Sequence, residues 1–115
     1  MIQIVNRKTW RGASVYVGRP TALGNPFIIG QDGDRATVLQ KYRRWLWREV
    51  QRAAGPVFEE VQRLAQRATT DDLILSCWCA PLPCHAKILR DGIHYLNNQC
   101  AHRTSSQTLL SSLSL

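Results

Sequence analysis

The sequence predicts a small single α/β domain, in which helices flank a short sheet and the central strand leads into a cysteine-containing loop. Two short runs of β-branched and aromatic residues come first, at residues 2–5 and 14–17. Two amphipathic helical segments follow, at residues 36–52 and from residue 56 to about residue 68. A third apolar run, residues 73–78, precedes a last helix that begins near Cys84. This alternation of strands and helices is typical of an α/β domain.

The third apolar run is nearly continuous, as expected of a strand covered on both faces, so we place it at the centre of the sheet. The first helix is predicted by apolar residues that recur at spacings of three and four and form one buried stripe: Val38, Leu39, Tyr42, Trp45, Leu46 and Val50. Asp34 is positioned to cap the start of this helix. Gly55 and Pro56 separate it from the second helix.

The length and composition favour one globular unit. A chain of 115 residues can enclose one hydrophobic core, and 44% hydrophobic with 20% charged residues is the balance of a folded domain. We expect a cytoplasmic protein without membrane association, because no apolar run is long enough to span a bilayer and the N-terminus lacks the features of a signal peptide. The composition changes after residue 97, so we predict a domain over residues 1–97 and a loosely ordered Ser- and Leu-rich tail over residues 98–115.

The charge balance points to phosphate-bearing partners. Fifteen Lys and Arg residues against eight Asp and Glu residues give a net charge of +7, which favours nucleotides or nucleic acids without choosing between them. On the first helix Lys41, Arg44 and Arg48 lie opposite much of the apolar stripe. These residues are candidates for binding a phosphate backbone, and a solvated helix face is the alternative.

The loop after the second strand is a candidate ligand loop. Two glycines and two prolines within nine residues, from residue 18 to residue 26, exclude a helix there. Gly24 and Asn25 would bring the backbone close to a ligand, and Arg19 offers a two-pronged donor for an anion. A tight connection with an exposed arginine is the alternative interpretation.

The stretch CWCAPLPCH, residues 77–85, contains three of the four cysteines and one of the three histidines. Cys77 and Cys79 are two residues apart on a segment predicted to be extended, so their thiols are expected to point to the same side. Cys84 and His85 lie where the last helix begins.

Three interpretations of this stretch remain open. The first is a zinc site with Cys77, Cys79, Cys84 and His85 as ligands, although the spacing is not a standard one. The second is a catalytic thiol at Cys84, activated by the helix terminus and by His85 or His94. The third is packing of the cysteines as small hydrophobic residues.

Two residues of the tail bear on the zinc interpretation. Cys100 and His102 are further candidate ligands that would complete the site from outside the cysteine stretch. A disulfide framework is not expected, since cytosolic thiols are normally reduced.

Four motifs together resemble a known family, the small bacterial and phage proteins of domain of unknown function 4326. The resemblance covers residues 2–96 and is carried by YVGRP at 16–20, GNPF at 24–27, a Tyr-x-x-Trp-Leu helix at 42–46, and CWCAPLPCH at 77–85. It implies that six residues belong to a family signature: Arg19, Asn25, Cys77, Cys79, Cys84 and His85. It implies no activity, since none is established for the family. One departure is Ala86, at a position where Gly is frequent.

We therefore expect a cytosolic domain that binds a phosphorylated ligand, either a nucleotide or a nucleic acid. The ligand would lie between the loop of Arg19 and Asn25 and the helix terminus at Cys84. The alternative is a zinc-stabilised module that binds nucleic acid or another protein without catalysis. The sequence leaves open whether the protein is an enzyme.

Overall fold

The computed structural model of the chain describes residues 1–79 and 82–114, with side chains through residue 99. It has the predicted α/β architecture, with a parallel sheet and helices in one small unit. The elements in chain order are β1 (Ile2–Asn6), β2 (Val15–Tyr16), α1 (Arg35–Arg52), α2 (Pro56–Thr70), β3 (Leu73–Cys77) and α3 (His85–Ser114).

The sheet has the strand order β1-β3-β2, and both pairings are parallel, so β3 is central as predicted. Asn6 of β1 is level with Cys77 of β3, and Tyr16 of β2 is level with Ser76. The three strands therefore end at the same side of the sheet, which we call the carboxyl edge. In open parallel sheets this edge is the usual place for a ligand.

The core lies between the sheet and the helices. Leu73, Leu75 and Cys77 alternate along β3 and belong to the same buried cluster as the apolar stripes of the helices. The stripe predicted for α1 is buried at Val38, Tyr42, Leu46 and Val50, whereas Leu39 and Trp45 are partly buried against the cluster. The hydrophobic period of the sequence thus orients α1 correctly.

Local signals set the helix boundaries near the site. The Asp34 side chain accepts a hydrogen bond from the backbone N–H of Thr37 at 2.8 Å, which caps α1. Hydrogen bonds from the side chain and the backbone of Thr37 hold the pKa of Asp34 below its usual range. Gly55 has a φ of 94°, a conformation that favours glycine, and Pro56 begins α2 directly after it.

The last helix begins at His85, close to the predicted start, and continues to Ser114. The side chains of Cys100 and His102 lie outside the described residues. The division at residue 97 and the cytoplasmic location stay predictions. Among the described helices, none combines the length and the apolar character that crossing a bilayer requires.

Candidate functional site

A cleft of about 270 Å³ opens at the carboxyl edge of the sheet. Its wall is formed by the loop after β2, the start of α1 and the segment that joins β3 to α3. Arg19 and Asn25 of the loop line it together with Cys79, Cys84 and His85. The two motif regions that the sequence analysis selected therefore share one concave surface.

A pair of buried thiols lies beside the cleft, and Cys84 is the member of the pair that lines it. Sγ of Cys84 lies 3.0 Å from Sγ of Cys77, within hydrogen-bonding distance, and the two residues are only 3% and 1% exposed. The contact forms because Cys77 ends β3 on its core side and Cys84 directly precedes α3.

His85 is fixed by three neighbours. Its Nε2 lies 2.7 Å from the backbone carbonyl of Val17, and because a carbonyl can only accept, Nε2 carries the proton. Its Nδ1 faces Sγ of Cys84 at 3.4 Å. The ring edge packs on Tyr42, with ring centres 5.2 Å apart, and the Tyr42 hydroxyl donates to the carbonyl of Leu23 at 2.7 Å. The imidazole therefore ties α3 both to α1 and to the loop after β2.

The surroundings of Cys84 keep its thiol protonated. Its hydrogen bond with Cys77 raises the pKa well above the usual range, and burial acts in the same direction. A backbone hydrogen bond at Ala86 lowers the pKa but does not offset these effects. A catalytic thiolate requires the opposite shift, so this arrangement does not supply the activation that a nucleophilic role for Cys84 needs.

Cys79 is positioned by a turn and not by the strand. The sheet hydrogen bonds end where the backbone N–H of Arg7 donates to the carbonyl of Cys77 at 2.9 Å. The chain then bends, and the N–H of Leu82 donates to the carbonyl of Cys79 at 2.8 Å. The strand ends at Cys77, so Cys79 lies in the bend that follows, and the alternation of a strand does not set the position of its thiol.

The zinc interpretation of the cysteine stretch stays a prediction. Among the side chains that the structure describes, no group of three or more His, Cys, Asp or Glu residues is arranged to hold a metal ion. With zinc–sulfur distances of about 2.3 Å, two thiolates on a tetrahedral zinc lie about 3.8 Å apart. The separation between Cys77 and Cys84 is 3.0 Å, which corresponds to a thiol–thiol hydrogen bond.

Gly24 and Asn25 determine the shape of the ligand loop. A Cβ atom at Gly24 would lie 2.8 Å from the backbone nitrogen of Arg19, so only glycine lets the loop fold back this closely. The side-chain oxygen of Asn25 accepts from the N–H of Phe27 at 2.9 Å, and its nitrogen donates to the carbonyl of Val38 at 3.5 Å. These contacts position Arg19, whose guanidinium has no hydrogen bond or ion pair with the described residues.

Arg35 is a cleft residue that the sequence analysis missed. It is the first residue of α1, lines the cleft, and donates from Nη1 to the carbonyl of Pro83 at 3.1 Å. A basic residue in the first turn of a helix is unfavourable beside the positive end of the helix dipole. That mismatch was the available signal for a function at this position.

Tyr16 and Trp78 also line the cleft and were not predicted as site residues. The indole Nε1 of Trp78 donates to the Tyr16 hydroxyl at 3.0 Å, and that hydroxyl donates to the carbonyl of Arg19 at 2.6 Å. The sequence analysis placed Trp78 in the apolar run of the central strand, whereas β3 ends at Cys77 and leaves this side chain exposed. Local spacing could not reveal its partner, because 62 residues separate Trp78 from Tyr16.

The electrostatic character of the cleft follows from its lining. Arg19 and Arg35 supply two guanidinium groups, and none of the described lining residues is an Asp or a Glu. Cys84 stays neutral. The cleft is therefore positively charged.

The family model for a domain of unknown function, DUF4326, matches residues 2–95. The chain belongs to the DUF4326 family. All the described lining residues of the cleft fall within the matched region, so the cleft is part of the DUF4326 domain. No curated protein and no solved structure is significantly similar to the chain.

The basic residues predicted on the first helix lie apart from the cleft of the DUF4326 domain. The ammonium group of Lys41 donates to the carbonyl of Asp32 at 2.8 Å, which ties α1 to the preceding turn. Arg44 and Arg48 are exposed. None of the three lines the cleft, so the structure does not bring them together with Arg19 and Asn25.

Proposed function

We propose that this DUF4326 domain binds a phosphorylated ligand, a nucleotide or a nucleic acid, in the cleft at the carboxyl edge of the sheet. The observation that carries the proposal is the pairing of Arg19 and Arg35 in a cleft without a described carboxylate. Guanidinium groups bind phosphate oxygens through two parallel charge-assisted hydrogen bonds. A bound anion would supply the negative charge that is absent from the described lining residues.

The start of α3 supports the same ligand class. Cys84 and His85 lie in the cleft wall where this helix begins, and the first turn of a helix carries the positive end of its dipole. The raised pKa of Cys84 matters here, because a thiolate at the same place would repel a phosphate. The protonated Cys84 thiol therefore makes this wall compatible with an anion.

The size of the cleft favours a small ligand. Its volume of about 270 Å³ lies just below the range of roughly 300–1,000 Å³ typical of clefts for drug-sized molecules. A single nucleotide, or one terminal nucleotide of a strand, suits this volume. In this proposal Cys84 and His85 shape the binding wall, and binding requires no covalent step.

The alternative function is a zinc-stabilised module that binds nucleic acid or a protein. Its support is the mutual contact of Cys77, Cys84 and His85, three residues of the donor types that zinc prefers. In such a module the metal would stabilise the fold, and the exposed basic face of α1 would contact the partner.

The decisive experiment is calorimetric titration of the protein with nucleoside monophosphates. We expect Arg19→Gln to weaken binding at least about tenfold, since a charge-assisted hydrogen bond contributes roughly 1.5–3 kcal/mol. Arg48→Gln is the matched control, because it removes the same charge from the exposed face of α1, and it should change the affinity less than about twofold. Equal losses in the two variants would indicate nonspecific attraction and contradict the proposal.

A further inference from the structure

A large aromatic side chain stands at the mouth of the cleft with much of its surface open. Trp78 lies directly after β3, lines the cleft and is 58% exposed. Tryptophan is normally well buried, because exposing its ring leaves a large apolar area in water. An exposed indole that lines a charged cleft therefore calls for a ligand that would cover it.

The indole is fixed in orientation before any ligand arrives. Its Nε1 donates to the Tyr16 hydroxyl at 3.0 Å, and its ring meets the Tyr16 ring edge to face, with centres 6.3 Å apart and an interplanar angle of 71°. The backbone carbonyl of Trp78 accepts from the side chain of Asn6 at 3.2 Å. Little side-chain freedom remains to be lost on binding, which favours affinity.

The surroundings of the indole are cationic. The guanidinium carbon of Arg7 lies 4.1 Å from the Tyr16 ring centre and 5.7 Å from the Trp78 ring centre. Arg19 is linked to the same group of side chains, because its backbone carbonyl accepts from the Tyr16 hydroxyl at 2.6 Å. An aromatic surface and phosphate-binding groups thus lie in one cleft.

We infer that the ligand is a free nucleotide whose base stacks on Trp78 while its phosphate binds Arg19 and Arg35. This inference rests on the proposed function and narrows it, since a phosphorylated sugar alone would leave the indole uncovered. Stacking fits any base, because every base presents a flat face. The cleft volume of about 270 Å³ favours a mononucleotide over a continuous strand.

The test compares two ligands that share the sugar phosphate and differ in the base. Adenosine 5′-monophosphate and ribose 5-phosphate are titrated into the wild-type protein, and we expect the nucleotide to bind roughly 5- to 150-fold more tightly. In Trp78→Ala this advantage should disappear while ribose 5-phosphate binds as before, which also shows that the cleft is intact. Trp78→Phe should keep a large part of the advantage.

Trp47→Ala is the matched control, since Trp47 is also exposed, at 48%, and does not line the cleft. It should leave both affinities unchanged. Equal wild-type affinities for the two ligands, or an equal loss of affinity for both in Trp78→Ala, would overturn base stacking but would not contradict the phosphate site. Binding of neither ligand would overturn the proposed function itself. Tighter binding of a single-stranded oligonucleotide than of the nucleotide would assign the cleft to nucleic acid instead.

Discussion

Arginines occur in two contrasting settings in this DUF4326 domain. At the carboxyl edge, Arg19 and Arg35 line a cleft beside aromatic rings and buried thiols, and the local backbone fixes their positions. On the outer face of α1, Arg44 and Arg48 project from an exposed surface opposite the buried stripe. The residue type is the same, but only the first pair shares a concave surface with other side chains of the family motifs.

The contrast shows why charge alone does not locate a site. A phosphate in a cleft exchanges its water for fixed donors in a region of lower dielectric constant, where each charge interaction is stronger. At an exposed helix face, water and salt weaken the same interaction over about 8 Å at physiological ionic strength. The excess of seven positive charges therefore predicts a ligand class, whereas the fold determines where binding is specific.

The largest expected effect concerns the reactivity of the two cleft thiols. At neutral pH we expect iodoacetamide to modify Cys84 at least about tenfold more slowly than Cys79, because the raised pKa and burial of Cys84 leave little accessible thiolate. The rate at Cys84 should rise only at a pH above the usual range for cysteine. Mass spectrometry of the modified peptides measures both sites in one sample.

The variant Cys77→Ala sharpens this prediction. It removes the hydrogen bond that is the main cause of the raised pKa, so the rate profile of Cys84 should move to lower pH. In the wild-type protein, a Cys84 that reacts at neutral pH as fast as Cys79 would contradict the structure and restore the catalytic interpretation.

An effect of similar size concerns metal content. After dialysis, we expect the purified protein to contain less than about 0.2 zinc per chain, since the Cys77 and Cys84 sulfurs are closer than two zinc ligands would be. Elemental analysis measures the content directly. One zinc per chain that survives dialysis, and whose loss on chelation unfolds the domain, would instead establish the zinc-stabilised module.

The smallest expected effect is that of reversing charge on the outer face. We expect Arg44→Glu with Arg48→Glu to change mononucleotide affinity less than about threefold at 0.15 M salt. Arg44 is nine residues from Arg35, or about 13 Å along the helix. Calorimetric titration measures the affinity. A large loss of mononucleotide affinity would show that the outer-face arginines belong to the same binding site as the cleft. A flatter salt dependence of oligonucleotide binding, with unchanged mononucleotide affinity, would instead identify the outer face as a separate phosphate-binding surface.

The sequence predicted those features that depend on neighbours close in the chain. The period of apolar residues located α1, Asp34 marked its cap, and the continuous apolar run identified β3 as the central strand. Each of these follows from spacings of a few residues or from burial on both faces of a strand.

The composition of the cleft was predictable only in part. Arg19 and the cysteine stretch were selected because their residue types are unusual in those settings, and they share the cleft. The thiol–thiol hydrogen bond, the hydrogen bond from His85 to the Val17 carbonyl and the Trp78–Tyr16 pair depend on where distant segments meet. Local patterns carry no information about such pairs.

The two-residue strand β2 gives the cleft a dynamic property. Two long-range hydrogen bonds, from His85 to the carbonyl of Val17 and from Trp78 to Tyr16, attach this short edge to the segment after β3. Detachment of β2 would thus take the cleft apart, and local opening of this kind governs amide hydrogen exchange. Apparent affinity falls in proportion to the closed fraction, so a substitution that loosens the edge weakens binding without touching the ligand.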